Sequence, residues 1–197
     1  MKKILISTLL LVMLVYPARS QNRPANEFGV SYGVITVPDV AMTFGSILGV
    51  AFSGGLWSFD NINATGAFGL EYYHNFNDRI AVRGICCYDA FMADAIEEEG
   101  GQKINKGRYG SHFINVMPAF RVNWFDRERV SMYSKVAAGA MLQISPDDEL
   151  GENTTDWAFA AHLSLAGVEF GSRTFRGFVE AGWGMQGILT FGVKKAF

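Results

Sequence analysis

The chain has 197 residues and a formal net charge of −2, enough for one domain and too balanced to select a partner by bulk charge. Its lysines and arginines are scattered and form no stripe, so the electrostatic footprint of a nucleic-acid-binding surface is missing. Apolar residues make up 49 %, ordinary for a folded domain, while aromatics at 14 % and the 22 glycines are both high.

The chain opens with a short basic start, Met1-Lys2-Lys3, followed by an almost wholly apolar run over residues 4–16. Ala18-Arg19-Ser20 then sets small residues at the −3 and −1 positions of a cleavage point. This is the pattern of an export signal peptide. The apolar run is too short for a spanning helix, which needs about 20 residues. We therefore expect a signal peptide over residues 1–20 and a mature domain over residues 21–197. No cysteine follows the cleavage point, which argues against a lipid anchor there.

Beyond the signal the dominant pattern is alternation with period two, the pattern of strands with two unlike faces. The first strand has Phe28, Val30, Tyr32 and Val34 on one face and Gly29, Ser31 and Gly33 on the other. Residues 37–63 follow as a long connection. Within it residues 40–52 are apolar and glycine-bearing behind Pro38-Asp39, a good helix start, so a short helix is expected over the mouth or at the membrane interface. Phe68, Leu70 and Tyr72 then alternate with Ala67, Gly69, Glu71 and Tyr73. Ile80, Val82, Cys86 and Tyr88 alternate with Arg83, Cys87 and Asp89. Cys86 and Cys87 are the two cysteines of the chain; adjacent on a strand, their thiols diverge.

Four more strands complete the set. Ile114, Val116, Pro118, Phe120, Val122 and Trp124 alternate with Asn115, Met117, Arg121 and Asn123. Met132, Val136, Ala138, Ala140 and Leu142 alternate with Tyr133, Lys135, Ala137 and Gly139, and Phe159, Ala161, Leu163 and Leu165 with Ala160, His162, Ser164 and Ala166. Phe175, Val179, Ala181 and Trp183 alternate with Arg176, Phe178, Glu180 and Gly182. After a tight turn at Gly184-Met185-Gln186-Gly187, the last strand sets Leu189, Phe191, Val193, Lys195 and Phe197 against Ile188, Thr190, Gly192, Lys194 and Ala196.

The connections have parity. Short turns at residues 75–79, 126–129 and 171–174 alternate with long segments at 37–63, 91–108 and 144–156. The run Glu97-Glu98-Glu99-Gly100-Gly101 reads as a solvated loop tip. Eight strands with short turns on one side and long segments on the other predict an all-β fold, an eight-stranded antiparallel transmembrane β-barrel with a short helix in the first outer loop. Its apolar faces meet lipid. Its other faces collect Glu71, Arg83, Asp89, Arg121, Lys135, His162, Arg176, Glu180 and Lys194, which must pair in an interior just wide enough for side chains. Lys195 is the exception on the outward face, near the chain end, where it can snorkel to the headgroups.

The ending Gly187-Ile-Leu-Thr-Phe-Gly-Val-Lys-Lys-Ala-Phe197 resembles the C-terminal signal of outer-membrane proteins, with Lys195 at a place often aromatic in that class. The layout from Phe28 to Phe197 resembles the small eight-stranded outer-membrane barrels of the OmpA/OmpX type. The resemblance implies export to the outer membrane of a Gram-negative bacterium, outer-membrane lipids as surroundings, and contact with the barrel-assembly machinery through the strand ending at Phe197. It brings no catalytic motif.

The function expected from this fold is structural or interactive: a barrel displaying loops outside the cell. A barrel enzyme acting on lipid A or phospholipid is the first alternative, with His162 as base, Ser164 as nucleophile and Glu180 as orienter. The i, i+2 spacing of His162 and Ser164 arises freely in strands. A narrow pore or small-ligand path past Arg83 and Arg121 is the second. No catalytic, cofactor-binding or metal-ligating residue follows from the sequence, no cofactor is implied, and the oligomeric state is not legible in it.

Overall fold

The computed structural model describes residues 23–52, 57–99, 102–147 and 152–197. The expected signal peptide lies outside them. The strands are β1 (Asn26–Val34), β2 (Trp57–Ala64), β3 (Ala67–Asn75), β4 (Ile80–Glu99), β5 (Gln102–Asp126), β6 (Val130–Asp147), β7 (Glu152–Gly171), β8 (Phe175–Gly184) and β9 (Leu189–Ala196), and one helix, α1 (Val37–Phe52), follows β1. All pairings are antiparallel, in the order β2-β4-β3-β1-β9-β8-β7-β6-β5, and β5 pairs back onto β4. The sheet is therefore closed.

β2 and β3 share one place in the wall. β3 pairs with the lower part of β4, from Asn75↔Ala81 to Phe68↔Tyr88, and β2 with the upper part, from Ala64↔Phe91 to Trp57↔Glu97. The break between them falls at Thr65-Gly66, where Gly66 has φ 71° and a Cβ would lie 2.9 Å from the Tyr32 hydroxyl. That hydroxyl donates to the Thr65 carbonyl at 2.7 Å. The wall thus has eight positions, as the alternation predicts, with one of them interrupted.

The phases are also as expected. Phe28, Val30, Phe68, Leu70, Val116, Phe120, Leu163, Leu165, Val179 and Phe191 point outward and are exposed, while the charged partners on the other faces are buried. Large apolar side chains on the outside and charges within are inverted relative to a water-soluble barrel, and match a wall solvated by hydrocarbon. Two aromatic rows run across this belt. Near the short turns Tyr72, Phe28 and Phe175 sit beside Lys195, which lies directly between Phe28 and Phe175 in register. Towards the other end Tyr88, Phe68, Tyr32 and Phe191 run across four adjacent strands, with ring centroids 4.8 Å (Tyr32–Phe68) and 5.5 Å (Tyr32–Phe191) apart. The two rows lie four residues apart along β1, β3 and β9, about 14 Å at ~3.4 Å per residue, so both belong to the lipid-facing belt itself. Cys86 is exposed on the outer face and Cys87 buried on the inner.

The wall is uneven in height. β1, β8 and β9 are 9, 10 and 8 residues long, close to the ~9–11 residues that cross a bilayer. β4 to β7 are 20, 25, 18 and 20 residues long and stand well above them. The segments 91–108 and 144–156, read from sequence as loops, are mostly strand: β4 and β5 stay paired to Glu99↔Gln102, and β6 and β7 to Asp147↔Glu152. β5 and β6 part company above His112↔Ile144, so two hairpins project from this tall end.

α1 begins at Val37, three residues before the span expected from sequence, because a capping box sets its start. The Thr36 hydroxyl accepts from the Asp39 amide at 3.1 Å, and the Asp39 carboxylate accepts from the Thr36 amide at 3.0 Å. The same Thr36 hydroxyl donates to Asp89 on β4 at 2.5 Å, pinning the helix start to the barrel interior. Thr36→Ala removes the cap and a partner of a buried carboxylate. It should lower stability by about 1–2 kcal/mol, read as a shift in the denaturant midpoint in lipid vesicles, whereas Thr36→Ser should stay near wild type.

Candidate functional site: the ion network of the interior

The interior is filled in two linked tiers. At the short-turn end the hub is Glu169, which is fully buried. It bonds Arg121, takes Lys194 Nζ at 2.7 Å and Arg23 at 3.3 Å, has Arg176 at 3.6 Å, and accepts from the Ser131 hydroxyl at 3.0 Å. Arg23 also forks onto Asp126, at 2.7 and 2.9 Å, and Lys194 bonds Glu27 across the β1–β9 seam. One tier further in, Arg83 bridges Glu71 at 3.1 Å and Glu180 at 2.8 Å. Lys135 bonds Glu180 and donates to Gln186 at 2.6 Å; Gln186 in turn donates to Glu71 at 2.8 Å. Arg83 lies 4.0 Å from Glu169, which joins the tiers.

Two tyrosines organise the cations. Tyr73 and Tyr133 donate to Glu71 at 2.7 Å and Glu180 at 2.5 Å. Their ring faces carry Arg83 at 4.3 Å and Arg121 at 3.7 Å respectively, and Lys194 also sits over Tyr73, at 4.6 Å. Each tyrosine therefore serves both charges: the hydroxyl satisfies a carboxylate and the electron-rich face a cation. Gly167 lies opposite Tyr133 in register, and a Cβ there would collide with the ring. Glycine at this position lets the Tyr133 ring lie across the wall.

Of the inward charges expected from sequence, Glu71, Arg83, Lys135 and Glu180 meet in the upper tier, and Arg121, Arg176 and Lys194 in the lower one. Asp89 stands apart, nearer the tall end, with Thr36. The sequence reading missed Arg23, Glu27, Glu169 and Gln186. Glu169 was lost to a β-bulge: Lys135↔Ser164 is followed by Tyr133↔Gly167 on one side, and Ser164↔Gly182 by Ala166↔Ala181 on the other, so Leu165 is the extra residue. The bulge reverses the phase of β7 beyond it. The Leu165 carbonyl is satisfied by the Ser134 hydroxyl at 2.7 Å.

His162, Ser164 and Glu180 do come together, but not as a nucleophile and its base. The Gln186 amide donates to His162 Nδ1 at 3.3 Å, so that nitrogen carries the lone pair and the neutral ring has its proton on Nε2. Nε2–H then donates to Ser164 Oγ at 3.1 Å, and Ser164 donates onward to Glu180 at 2.7 Å. The histidine gives a hydrogen bond to the serine where a general base must accept one. The carboxylate sits on the serine, not on the far ring nitrogen, and all three side chains are buried. These three side chains end the network as a relay of hydrogen bonds onto Glu180.

Towards the tall end the lining becomes apolar. Phe91, Ala93 and Phe113 are buried together, with Met42 of α1, Phe59 and Met141 against them. Above them lies an open cup of about 530 Å³ between α1 and the inner faces of β4, β5 and β6. No group of three or more metal-ligating side chains is found among the described residues.

No family model matches the sequence, and no curated protein does either. Among solved structures the chain is similar to the N-terminal β-barrel domain of Pseudomonas aeruginosa OprF, at 10 % identity and a TM-score of 0.45, over 89 % of this chain and 100 % of that one. It is also similar to Ail, the attachment invasion locus protein of Yersinia pestis, at 16 % identity and a TM-score of 0.37, over 86 % of this chain and 94 % of that one. The architecture itself is that of a small eight-stranded transmembrane barrel: a closed antiparallel wall, an apolar and aromatic outer belt, and a packed ionic interior.

Proposed function

We propose that this protein is an outer-membrane barrel of a Gram-negative bacterium whose role is to hold and display its tall hairpins outside the cell, in a structural or interaction capacity. The observation that carries this reading is the pairing of a filled interior with an uneven wall. Buried ion pairs occupy the bore through the membrane belt, while β4 to β7 continue past the belt as two hairpins. Material does not pass through such a bore. What remains available to a partner is the projecting part. Above the rung His162↔Gly184, β7 has no pairing to β8, so its edge presents backbone groups, and Trp157 and Phe159 are exposed on it.

The pattern of residues 1–20 supports export, and the alternating strand ending at Phe197 supports hand-over to barrel-assembly machinery. The test uses topology and conductance together. An epitope inserted between β4 and β5 should be reached by antibody on intact cells, while one in the turn at residues 76–79 should need permeabilised cells. Purified protein in planar bilayers should show no stepwise conductance. Labelling in the opposite sense, or a steady channel, would overturn the proposal.

A further inference from the structure

α1 has its apolar residues on the wrong side for a lid. Met42, Ala41, Gly45 and Ser46 face the cup. Val40, Phe44 and Ile47, spaced for one helical stripe, line the other side of the helix and are exposed by 39 % to 60 %. A stripe of that size standing in water would be costly, since each such side chain gains roughly 1.5–3 kcal/mol when covered.

The surroundings say what covers it. Between α1 and the barrel wall runs a groove of about 550 Å³, whose wall side is Tyr32, Val34 and Ile35. Tyr32 belongs to the upper aromatic row and Val34 continues the outward face of β1 above it, so the groove is an extension of the lipid-facing belt. Ile35 adds an independent sign. Its φ is 58°, a left-handed conformation that is unfavourable for a β-branched residue, yet its side chain is 54 % exposed into this groove. The wall has no height to spare here. β1 has nine residues, which at about 3.4 Å each and a tilt of about 40° cover only ~20–25 Å of depth, against a hydrocarbon core of about 25–30 Å.

We infer that α1 lies within the outer leaflet, with acyl chains of membrane lipids packed along the Val40–Phe44–Ile47 stripe and in the groove, so that the helix completes the low side of the wall between lipid and cup. This rests on the membrane reading above, and the test separates the two. In full-length protein carrying Cys86→Ala and Cys87→Ala, nitroxide labels are placed one at a time through Phe44→Cys, Ile47→Cys, Leu165→Cys on the wall and Asp78→Cys in a short turn. Each variant is reconstituted in phospholipid vesicles, and collision rates with oxygen and with a water-soluble nickel complex are compared.

The expected result is an oxygen-to-nickel ratio at Phe44 and Ile47 matching Leu165 and several-fold above Asp78. A lipid reading at Leu165 with a water reading at Phe44 and Ile47 overturns the placement of α1 alone. A water reading at Leu165 as well overturns the membrane assignment. Shielding of Phe44 and Ile47 from both reagents shows a protein surface, such as a second copy, on the stripe and overturns the lipid occupant. Should either helix variant fail to show the gel shift between unboiled and boiled samples that a folded barrel gives, Val40→Cys and Thr43→Cys on the same side replace it.

Discussion

Replacing Glu180 with leucine is expected to lower the unfolding free energy by about 3–5 kcal/mol, the range for removing one partner of a buried charge network. Glu180 is 1 % exposed and accepts from Arg83 at 2.8 Å, Tyr133 at 2.5 Å and Ser164 at 2.7 Å, besides its bond to Lys135. Leucine has similar bulk and no acceptor. Lys135 would keep only its bond to Gln186, and the Tyr133 and Ser164 hydroxyls would lose their acceptor. The loss comes from the stranded donors, so Glu180→Gln, which keeps one acceptor oxygen, should cost clearly less. The measurement is the denaturant midpoint in lipid vesicles, with the temperature at which the unboiled gel band disappears as a second reading. An unchanged midpoint for Glu180→Leu would place this carboxylate outside the network.

The second large effect is expected at Glu169. Its carboxylate is the common partner of Arg121, Lys194, Arg23 and Arg176. Removing it leaves Lys194 with Glu27 and Arg23 with Asp126. Arg121 is left with the amide oxygen of Asn123, at 2.6 Å, and the ring of Tyr133. Glu169→Leu should therefore cost at least as much as the change at Glu180, again about 3–5 kcal/mol. Adding Arg121→Met should restore part of the loss, because the double variant takes out the stranded charge along with its partner. If the double variant is as unstable as the sum of the two single changes, Glu169 and Arg121 do not act as a pair. Neither change should open a conducting path in bilayers while Arg83 and Lys135 keep their partners.

The alternation made the wall readable in advance because period two is a property of the strand, independent of what lies beyond it. Phe68, Leu70 and Tyr72 against Glu71 and Tyr73 assign both faces of β3 with no knowledge of its neighbours, and so the inward charges could be named. Three features escaped that rule. At Leu165 the bulge inserts one residue, and strict alternation carried past it would put Glu169 on the lipid side. Arg23 lies before β1, outside any alternating run, and Glu27 lies one residue before Phe28, where the reading of the strand began, although the same alternation carried back would have turned it inward. Gln186 sits in a turn, and turns have no period; only the structure shows it folded inward between Lys135 and Glu71.

The upper halves of β4 to β7 were missed for a different reason. Above the belt both faces meet water or the cup, so polar residues such as Thr154, Thr155 and Asp156 occupy a strand without an apolar stripe to announce it. The helix start was placed three residues late because the reading began at the apolar run behind Pro38-Asp39, when Thr36 and Asp39 form the reciprocal pair that fixes the first turn.

The seam between β1 and β9 has a consequence for how the molecule is made. Glu27 and Lys194, bonded across it, are 167 positions apart, and the rungs beside them join the first strand of the wall to the last. Every other pair in the ring links strands that are neighbours, or near neighbours, in sequence. The ring thus has one contact of very high order, and loop-closure entropy places it late. Until β9 is available β1 has an open hydrogen-bonding edge, and a lone edge in hydrocarbon is prohibitive. Insertion and closure are consequently one cooperative event, completed when β9 pairs with β1.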